Sequence, residues 1–344
     1  MKNNIFPREI IDLYPQLADL VDIVPMEKGL INKTFLATTK KSRYILQEVS
    51  PIFDIGIHFD SEKVCNYLSQ FNIPVPKINK NKSDELISVY KNKIFRLMDY
   101  VDGQSFDFIT SPHMAYECGR VVGQFHFHMA DFSYAYCSQR RHKGDYGFHT
   151  ENLIEALKKH GDHDYFSLVN PFAKKMLDKI KFYIENIETT HRHAHGDPKI
   201  SNILFKDQKA VCLIDFDTLG NSGWSLEMGD ALRSWTNPRH EDNIDACVEL
   251  DLVEQSLRGY TSLMNGLWSV REKKELVLHS QAVSLCLAIR YLTDVLNENY
   301  FSFCEKEFSR PAQHNWLRAQ AMYYLYEDFL SKQKSIEEIV CDLF

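Results

Sequence analysis

The stretch His195-Gly196-Asp197-Pro198-Lys199-Ile200-Ser201-Asn202, followed by Leu213-Ile214-Asp215-Phe216-Asp217, decides how the chain is read. The pattern is H-G-D-x-x-x-x-N, then a compact strand pair at 203–205 and 210–214, then an acid closing an apolar run. Phosphoryl transfer from a nucleotide asks for little covalent chemistry. It needs a carboxylate that orients and deprotonates the attacking hydroxyl, and hard oxygen ligands for Mg²⁺ on the phosphates. Asp197 is the candidate for the first task, Asn202 and Asp215 for the second. Asp217 lies two residues beyond Asp215 and would share its side of a continued strand. It either joins the metal or accepts loop amides. H-G-D alone is a common turn sequence; the spaced Asn and the following I-D-F-D carry the reading.

Outward from this segment, the first hundred residues read as a small antiparallel sheet with one inserted helix. The β-prone runs 34–38 and 43–49 flank the polar turn Lys40-Lys41-Ser42, and 86–90 and 94–98 flank Lys91-Asn92-Lys93. Between the hairpins, 61–71 carries Val64, Cys65 and Leu68 at helical spacing and stops before Pro74 and Pro76. Asp102-Gly103-Gln104-Ser105 breaks the pattern and marks the hinge. Beyond it helices dominate. Ala115, Cys118, Val121, Val122, Phe125 and Met129 make one stripe behind Pro112, and 172–187, 272–296 and 318–330 are further amphipathic candidates. The expected organisation is α+β: a β-rich lobe over 1–101 and a larger, mostly helical lobe over 102–344.

Composition narrows the classes. The 344 residues are 44% hydrophobic and 25% charged, with forty basic against forty-seven acidic side chains and a formal charge of −7. A general nucleic-acid binder shows a basic excess instead. The longest mostly apolar stretch, 283–289, falls short of the ~20 residues that cross a bilayer, so no membrane association is expected. The beginning of the chain lacks the apolar core and cleavage site of a secretory signal. Eight scattered cysteines without a C-x-x-C pair read as reduced thiols of a cytoplasmic protein. His191, His193 and His195 alternate as zinc ligands can, but the pattern that begins at His195 favours a loop position. His126 and His128 read as core or wall residues, and the basic run 140–143 as a solvated loop. Neither a G-x-x-x-x-G-K-[ST] phosphate loop nor G-x-G-x-x-G occurs.

The catalytic-loop pattern resembles that of the aminoglycoside phosphotransferase and choline kinase superfamily, whose fold is bilobal and protein-kinase-like. The closer resemblance, over most of the chain, is to N-acetylhexosamine 1-kinases. Gly29-Leu30-Ile31-Asn32-Lys33-Thr34-Phe35 is similar to their nucleotide-loop segment, and Tyr44-Ile45-Leu46-Gln47 with Phe53 to their Y-[IV]-L-Q…F. Gly123-Gln124-Phe125-His126, Ala130-Asp131-Phe132, Phe148-His149-Thr150 and Gly229-Asp230-Ala231-Leu232-Arg233 echo further elements. The most family-specific stretch is Ile289-Arg290-Tyr291-Leu292-Thr293-Asp294 with Asn299-Tyr300-Phe301 and His314 to Gln320. Two positions depart from type: Gly196 and Pro198 replace the H-N-D-T-K of the hexosamine kinases, and Gln47 stands where most kinases place a phosphate-pairing lysine.

The resemblance implies an ATP- and Mg²⁺-dependent kinase of a small molecule, most closely a sugar 1-kinase acting on an N-acetylhexosamine or related aldose. Nucleotide contacts are expected from Gly29, Asn32, Thr34 and Gln47, with adenine near Met98 and Val101. Lys33 is a candidate substitute for the missing lysine, and Glu62 for the helix carboxylate of the kinase fold. Arg290, Phe148 and His149 are the acceptor candidates. His195 and Asp230 support the catalytic loop, with Asp230 expected to anchor its backbone. The rival readings are a kinase of an aminoglycoside, choline or another amino alcohol, and a non-catalytic nucleotide-binding protein.

Overall fold

In the computed structural model the described residues are 6–26, 32–138, 144–188, 190–264 and 266–344. Gly29, within the expected nucleotide loop, and the basic run at 140–143 lie outside them. The chain divides into two compact units. The first comprises Met1–Gly103 together with Phe132–Arg140 and Ile214–Leu219; the second takes Gln104–Asp131, Arg141–Leu213 and Gly220–Phe344. Asp215 and Asp217 therefore belong to the first unit, and Asp197 and Asn202 to the second.

The first unit starts with α1 (Arg8–Ile11), followed by the strands β1 (Leu20–Pro25), β2 (Lys33–Thr39) and β3 (Arg43–Val49). Helix α2 (Gly56–Ser69) comes next, then β4 (Ile78–Asn79), β5 (Ser88–Tyr90) and β6 (Lys93–Asp99). The strands pair antiparallel in the order β1-β2-β3-β6-β4, with β5 also on β6. Strand alternation sorts the side chains. Ala37, Leu46, Phe95 and Leu97 face the N-terminal segment and pack with Ile10, Tyr14 and Leu17, while Gln47 and Arg96, cross-strand partners in the β3–β6 register, point to the other side. Both expected hairpins are present. Helix α2 starts five residues before the expected 61, at Gly56, whose N–H donates to Asp54 Oδ1.

The second unit contains α3 (Pro112–Met129), α4 (Tyr146–Lys159), α5 (Phe166–Asn186) and β7 (Arg192–Ala194), then the hairpin β8 (Ile203–Lys206) and β9 (Lys209–Leu213). After β10 (Gly220–Ser222) come α6 (Trp224–Trp235), α7 (Leu250–Met264), α8 (Val270–Asn297), α9 (Pro311–Ser331) and α10 (Gln333–Leu343). Ser111 caps α3 through the Met114 amide, with Pro112 in the first turn, as the sequence predicts. Helices α3 and α7 cross at glycines: a Cβ on Gly119 would collide with the Ser256 carbonyl, and one on Gly259 with that of Tyr116. Helix α8 opens on a Ser269–Glu272 capping box. Its most apolar window has a mean hydropathy of 1.3, enough by length and composition to cross a membrane, and 83% of that window is buried here as core. The eight cysteines form no disulfide among the described residues.

Candidate active site

The loop carrying His195 to Asn202 is seated on α6. Trp224 Nε1 donates to His193 O at 3.0 Å, and Trp235 Nε1 to Pro198 O at 3.0 Å. Between them, Glu227 Oε1 accepts the His195 amide at 3.0 Å and Oε2 the Gly196 amide at 2.9 Å. Ser234 Oγ accepts the Ile200 amide at 3.1 Å. The sequence reading gave the backbone anchor to Asp230. The carboxylate that takes both amides is Glu227, one turn earlier, because positions 224, 227, 234 and 235 share the helix face turned to the loop. Asp230 Oδ1 accepts Arg233 Nε at 2.9 Å, and Arg233 Nη1 reaches Glu241 Oε1 at 3.0 Å.

Glu227 is buried, and so is the group beneath it. His126 Nε2 lies 3.1 Å from Glu227 Oε1, and His126 Nδ1 lies 2.7 Å from the Tyr260 hydroxyl. Burial pushes the Glu227 carboxyl up, but the hydrogen bond and charge of His126, the charge of His195 and the Gly196 amide together bring it below the ordinary carboxylate range. Toward an ionised Glu227, Nε2 of His126 is the donor.

Gly196 has φ 83°, in the left-handed region where glycine carries no penalty and asparagine is tolerated. That conformation accounts for Gly at this position. The turn directs Asp197 back toward the loop. Its amide donates to His195 Nδ1 at 3.3 Å, and its Oδ2 receives Lys199 Nζ at 3.0 Å and Asn202 Nδ2 at 3.1 Å. Asn202 Nδ2 also donates to Asp197 O at 2.9 Å. With its nitrogen committed to Asp197, Asn202 offers its amide oxygen as a hard ligand, the donor type Mg²⁺ selects.

On the first unit, Asp215 also has a left-handed backbone, with φ 69° and ψ 61°. Both carboxylate oxygens of Asp217 are engaged: Arg96 Nη1 reaches Oδ1 at 2.6 Å, while Arg96 Nη2 and Asn32 Nδ2 reach Oδ2 at 2.8 and 2.9 Å. Burial raises the Asp217 carboxyl, and Arg96, Asn32 and His58 outweigh that effect and lower it. Gln47 Oε1 accepts Arg96 Nε at 2.9 Å and Nη2 at 2.7 Å, and its Nε2 donates to Thr34 Oγ1 at 3.1 Å. Asn32, Thr34, Gln47 and Asp217 thus form one network centred on Arg96. The sequence carried a signal for it: a lone arginine amid the apolar residues 94–98 of a central strand needs a buried partner. Lys33 does not fill the lysine's place, being 69% exposed and 3.8 Å from Glu48. The α2 side chain beside Arg96 is His58, at 3.5 Å, rather than Glu62. Burial and then the Arg96 charge lower its pKa to about 4, against the pull of Asp217. Met98 pairs with Ile45 and Ile78 in the sheet, and half-buried Val101 follows the end of β6.

The acceptor candidates are on the second unit. Asp145 caps α4 by accepting the Phe148 amide at 3.1 Å, which places Phe148 and His149 in the first helical turn. Arg290 of α8 lies 5.8 Å from the Tyr300 ring and 5.5 Å from the Phe301 ring. Those rings are fixed because Asp294 accepts the amides of Asn299, Tyr300 and Phe301 as well as Asn315 Nδ2. Burial raises Cys286, one turn before Arg290, to about 12; Arg290 counteracts this while Asp145 and Asp230 add to it. The α4 cap, α6 and Arg290 therefore converge on one region. Among the described residues, no three His, Cys, Asp or Glu side chains gather as a metal cluster.

The profile of the phosphotransferase enzyme family (APH) matches residues 22–261. A homoserine kinase from Zymomonas mobilis subsp. mobilis is 25% identical over 225 residues, 60% of this chain and 62% of that protein, so the match spans less than two thirds of the relative. Among solved structures, a microcompartment-associated aminopropanol kinase aligns with TM-score 0.63 at 14% identity, covering 94% of this chain and 97% of that one. An amicoumacin kinase in complex with AMP-PNP and Ca²⁺ aligns at 0.62 and 15%, with 92% of each chain covered. A Cryptosporidium parvum choline kinase aligns at 0.55 and 15%, covering 96% and 97%. With seven tenths of its length inside the family profile and a fold like that of these kinases, the chain belongs to the phosphotransferase enzyme family.

Proposed function

We propose that the chain is an ATP- and Mg²⁺-dependent sugar 1-kinase that phosphorylates the anomeric hydroxyl of an N-acetylhexosamine or related aldose. The observation that carries the acceptor class is the Arg290 wall. A guanidinium beside the Tyr300 and Phe301 rings disfavours a cationic acceptor, while its donors and the aromatic faces suit the hydroxyls and apolar face of a neutral sugar ring. Phe148 and His149 complete the acceptor contacts.

In this reading Asp197 aligns the acceptor hydroxyl and takes its proton as the oxygen attacks phosphorus. Lys199 Nζ, 3.0 Å from Oδ2, helps hold that carboxylate in place. Asn202 and Asp215 are the side chains that would serve as Mg²⁺ ligands, and the ion would neutralise charge on the nucleotide phosphates. Gln47 contributes no charge there, and Asp217 is committed to its protein partners.

An ATP-consumption screen over free hexoses, N-acetylhexosamines, aminoglycosides, choline and homoserine tests the proposal. Turnover with N-acetylhexosamines supports it, and turnover confined to a cationic amino alcohol overturns it. The second reading, an amino-alcohol kinase, draws support from the homoserine kinase relative and stands or falls in the same screen.

A further inference from the structure

We propose that Arg96 is a positioning residue of the transfer site: through Asp217 it holds the loop that presents the Asp215 carboxylate. The inference rests on the reading of Asp215 as a metal ligand and goes beyond it, because Arg96 itself touches neither metal nor nucleotide in this scheme. All the groups concerned lie in the first unit.

Arg96 has five N–H donors, and its side chain is 3% exposed. Nε and Nη2 converge on Gln47 Oε1, Nη1 and Nη2 form a two-pronged fork on Asp217, and Nη1 also lies beside His58. A guanidinium so occupied is a clamp rather than a hand held out to phosphate. What it clamps is strained. A non-glycine residue in the left-handed region persists only where its surroundings over-determine it. Asp215 is such a residue, and the two positions after it are pinned. Ser61 Oγ on α2 donates to Phe216 O at 3.3 Å, and Arg96 with Asn32 fixes Asp217. Gln47 stands where most kinases carry the phosphate-pairing cation. In this chain the cation is on the neighbouring strand at the paired position. There it secures the metal-binding loop.

A buried ion pair with no further role can be exchanged for apolar residues of similar volume at little cost in stability. That separates a structural pair from a positioning one. In the full chain, Mg²⁺-dependent binding of a non-hydrolysable ATP analogue is measured by calorimetry, alongside the Mg²⁺ dependence of turnover. The double variant Arg96→Met/Asp217→Leu should keep the wild-type circular dichroism spectrum and lose ~10–100-fold in apparent Mg²⁺ affinity, the range seen for partners of metal ligands. Asp217→Asn, which preserves shape and removes the charge that locks the fork, should shift the same way if the double variant does not fold. Arg96→Lys should recover part of the Mg²⁺ affinity lost in Arg96→Met, and saturating Mg²⁺ should restore most of kcat. Wild-type Mg²⁺ affinity in a folded double variant or in Asp217→Asn overturns the inference, as does an Arg96→Lys no better than Arg96→Met. Asp215→Ala tests the underlying reading separately: unchanged Mg²⁺ dependence there removes Asp215 as a ligand while leaving the family and the kinase activity standing.

Discussion

Glu227 accepts the Gly196 amide at 2.9 Å, so a helix carboxylate, itself buried, sets the turn from which Asp197 emerges. Its other oxygen takes the His195 amide and lies 3.1 Å from His126 Nε2. Every partner of Glu227 in this arrangement donates. Glu227→Gln turns one acceptor into an NH₂ group facing a donor. Hydrogen bonds to a charged group contribute about 1.5–3 kcal/mol each, so the variant should lose stability on that scale, read as a lower denaturation midpoint with an unchanged m-value. Its kcat should fall more than its nucleotide KM rises, because the displaced residue, Asp197, is the proposed base.

Asp197→Asn tests the base directly. Lys199 and Asn202 already hold the carboxylate, so an isosteric amide should leave the fold and nucleotide affinity intact. Turnover should fall by at least ~10²-fold, the contribution of a positioned general base. Near-normal turnover with full acceptor coupling removes Asp197 from that role.

His279 makes acid stability a measurable consequence of packing. It is buried in α8, with Nδ1 at 2.9 Å from the Tyr146 hydroxyl, and burial lowers its pKa to about 3. The unfolded chain binds this proton near pH ~6.5 while the folded one resists it, so the unfolded state gains protons between those values. The contribution is fully present above pH ~6.5 and is lost as the pH falls toward 3. His279→Gln should flatten the slope of the melting temperature against pH in that window. A wild-type slope in the variant assigns the acid sensitivity to other groups.

Some of this architecture is legible in the residues, and the exceptions have physical reasons. The β2–β3 hairpin and α3 follow from a polar turn between β-prone runs and from a proline-led apolar stripe. Helix α6 carries Trp224, Met228, Ala231, Leu232 and Trp235 at helical spacing. Eleven of its twelve residues are buried, Glu227, Asp230 and Arg233 among them, and the burial of that polar side is set by the tertiary fold rather than by the stripe. Yet α6 seats the loop that carries Asp197. Helix α5 begins at Phe166 and runs through Pro171, where a reading that treats proline as a boundary starts only at 172. The loop motif singles out Asp197, Asn202 and Asp215 as candidates because their spacing is local. Arg96 and Glu227 reach their partners across 121 and 31 positions, and such pairing is set by the tertiary fold.

The acceptor hydroxyl gives the sharpest test of the sugar reading. A 1-kinase attacks through the anomeric oxygen of a free reducing sugar, which must stand in line with the γ-phosphorus and within ~3 Å of the Asp197 carboxylate. A methyl glycoside of the preferred sugar has no proton on that oxygen, and its methyl group occupies the space where phosphorus must approach. Its ring hydroxyls and any acetamido group still meet Arg290 and the aromatic rings beside it. The glycoside should therefore inhibit competitively and never turn over. The product of the free sugar should carry phosphate on carbon 1, read as phosphorus coupling to the anomeric proton in NMR. Phosphorylation of the methyl glycoside, or phosphate on carbon 6, would show that a different hydroxyl reaches Asp197 and that the acceptor lies in another orientation against Arg290. The assignments of Asp197, Asn202 and Asp215 do not depend on that orientation, so the same measurement separates an error in the acceptor from an error in the transfer chemistry.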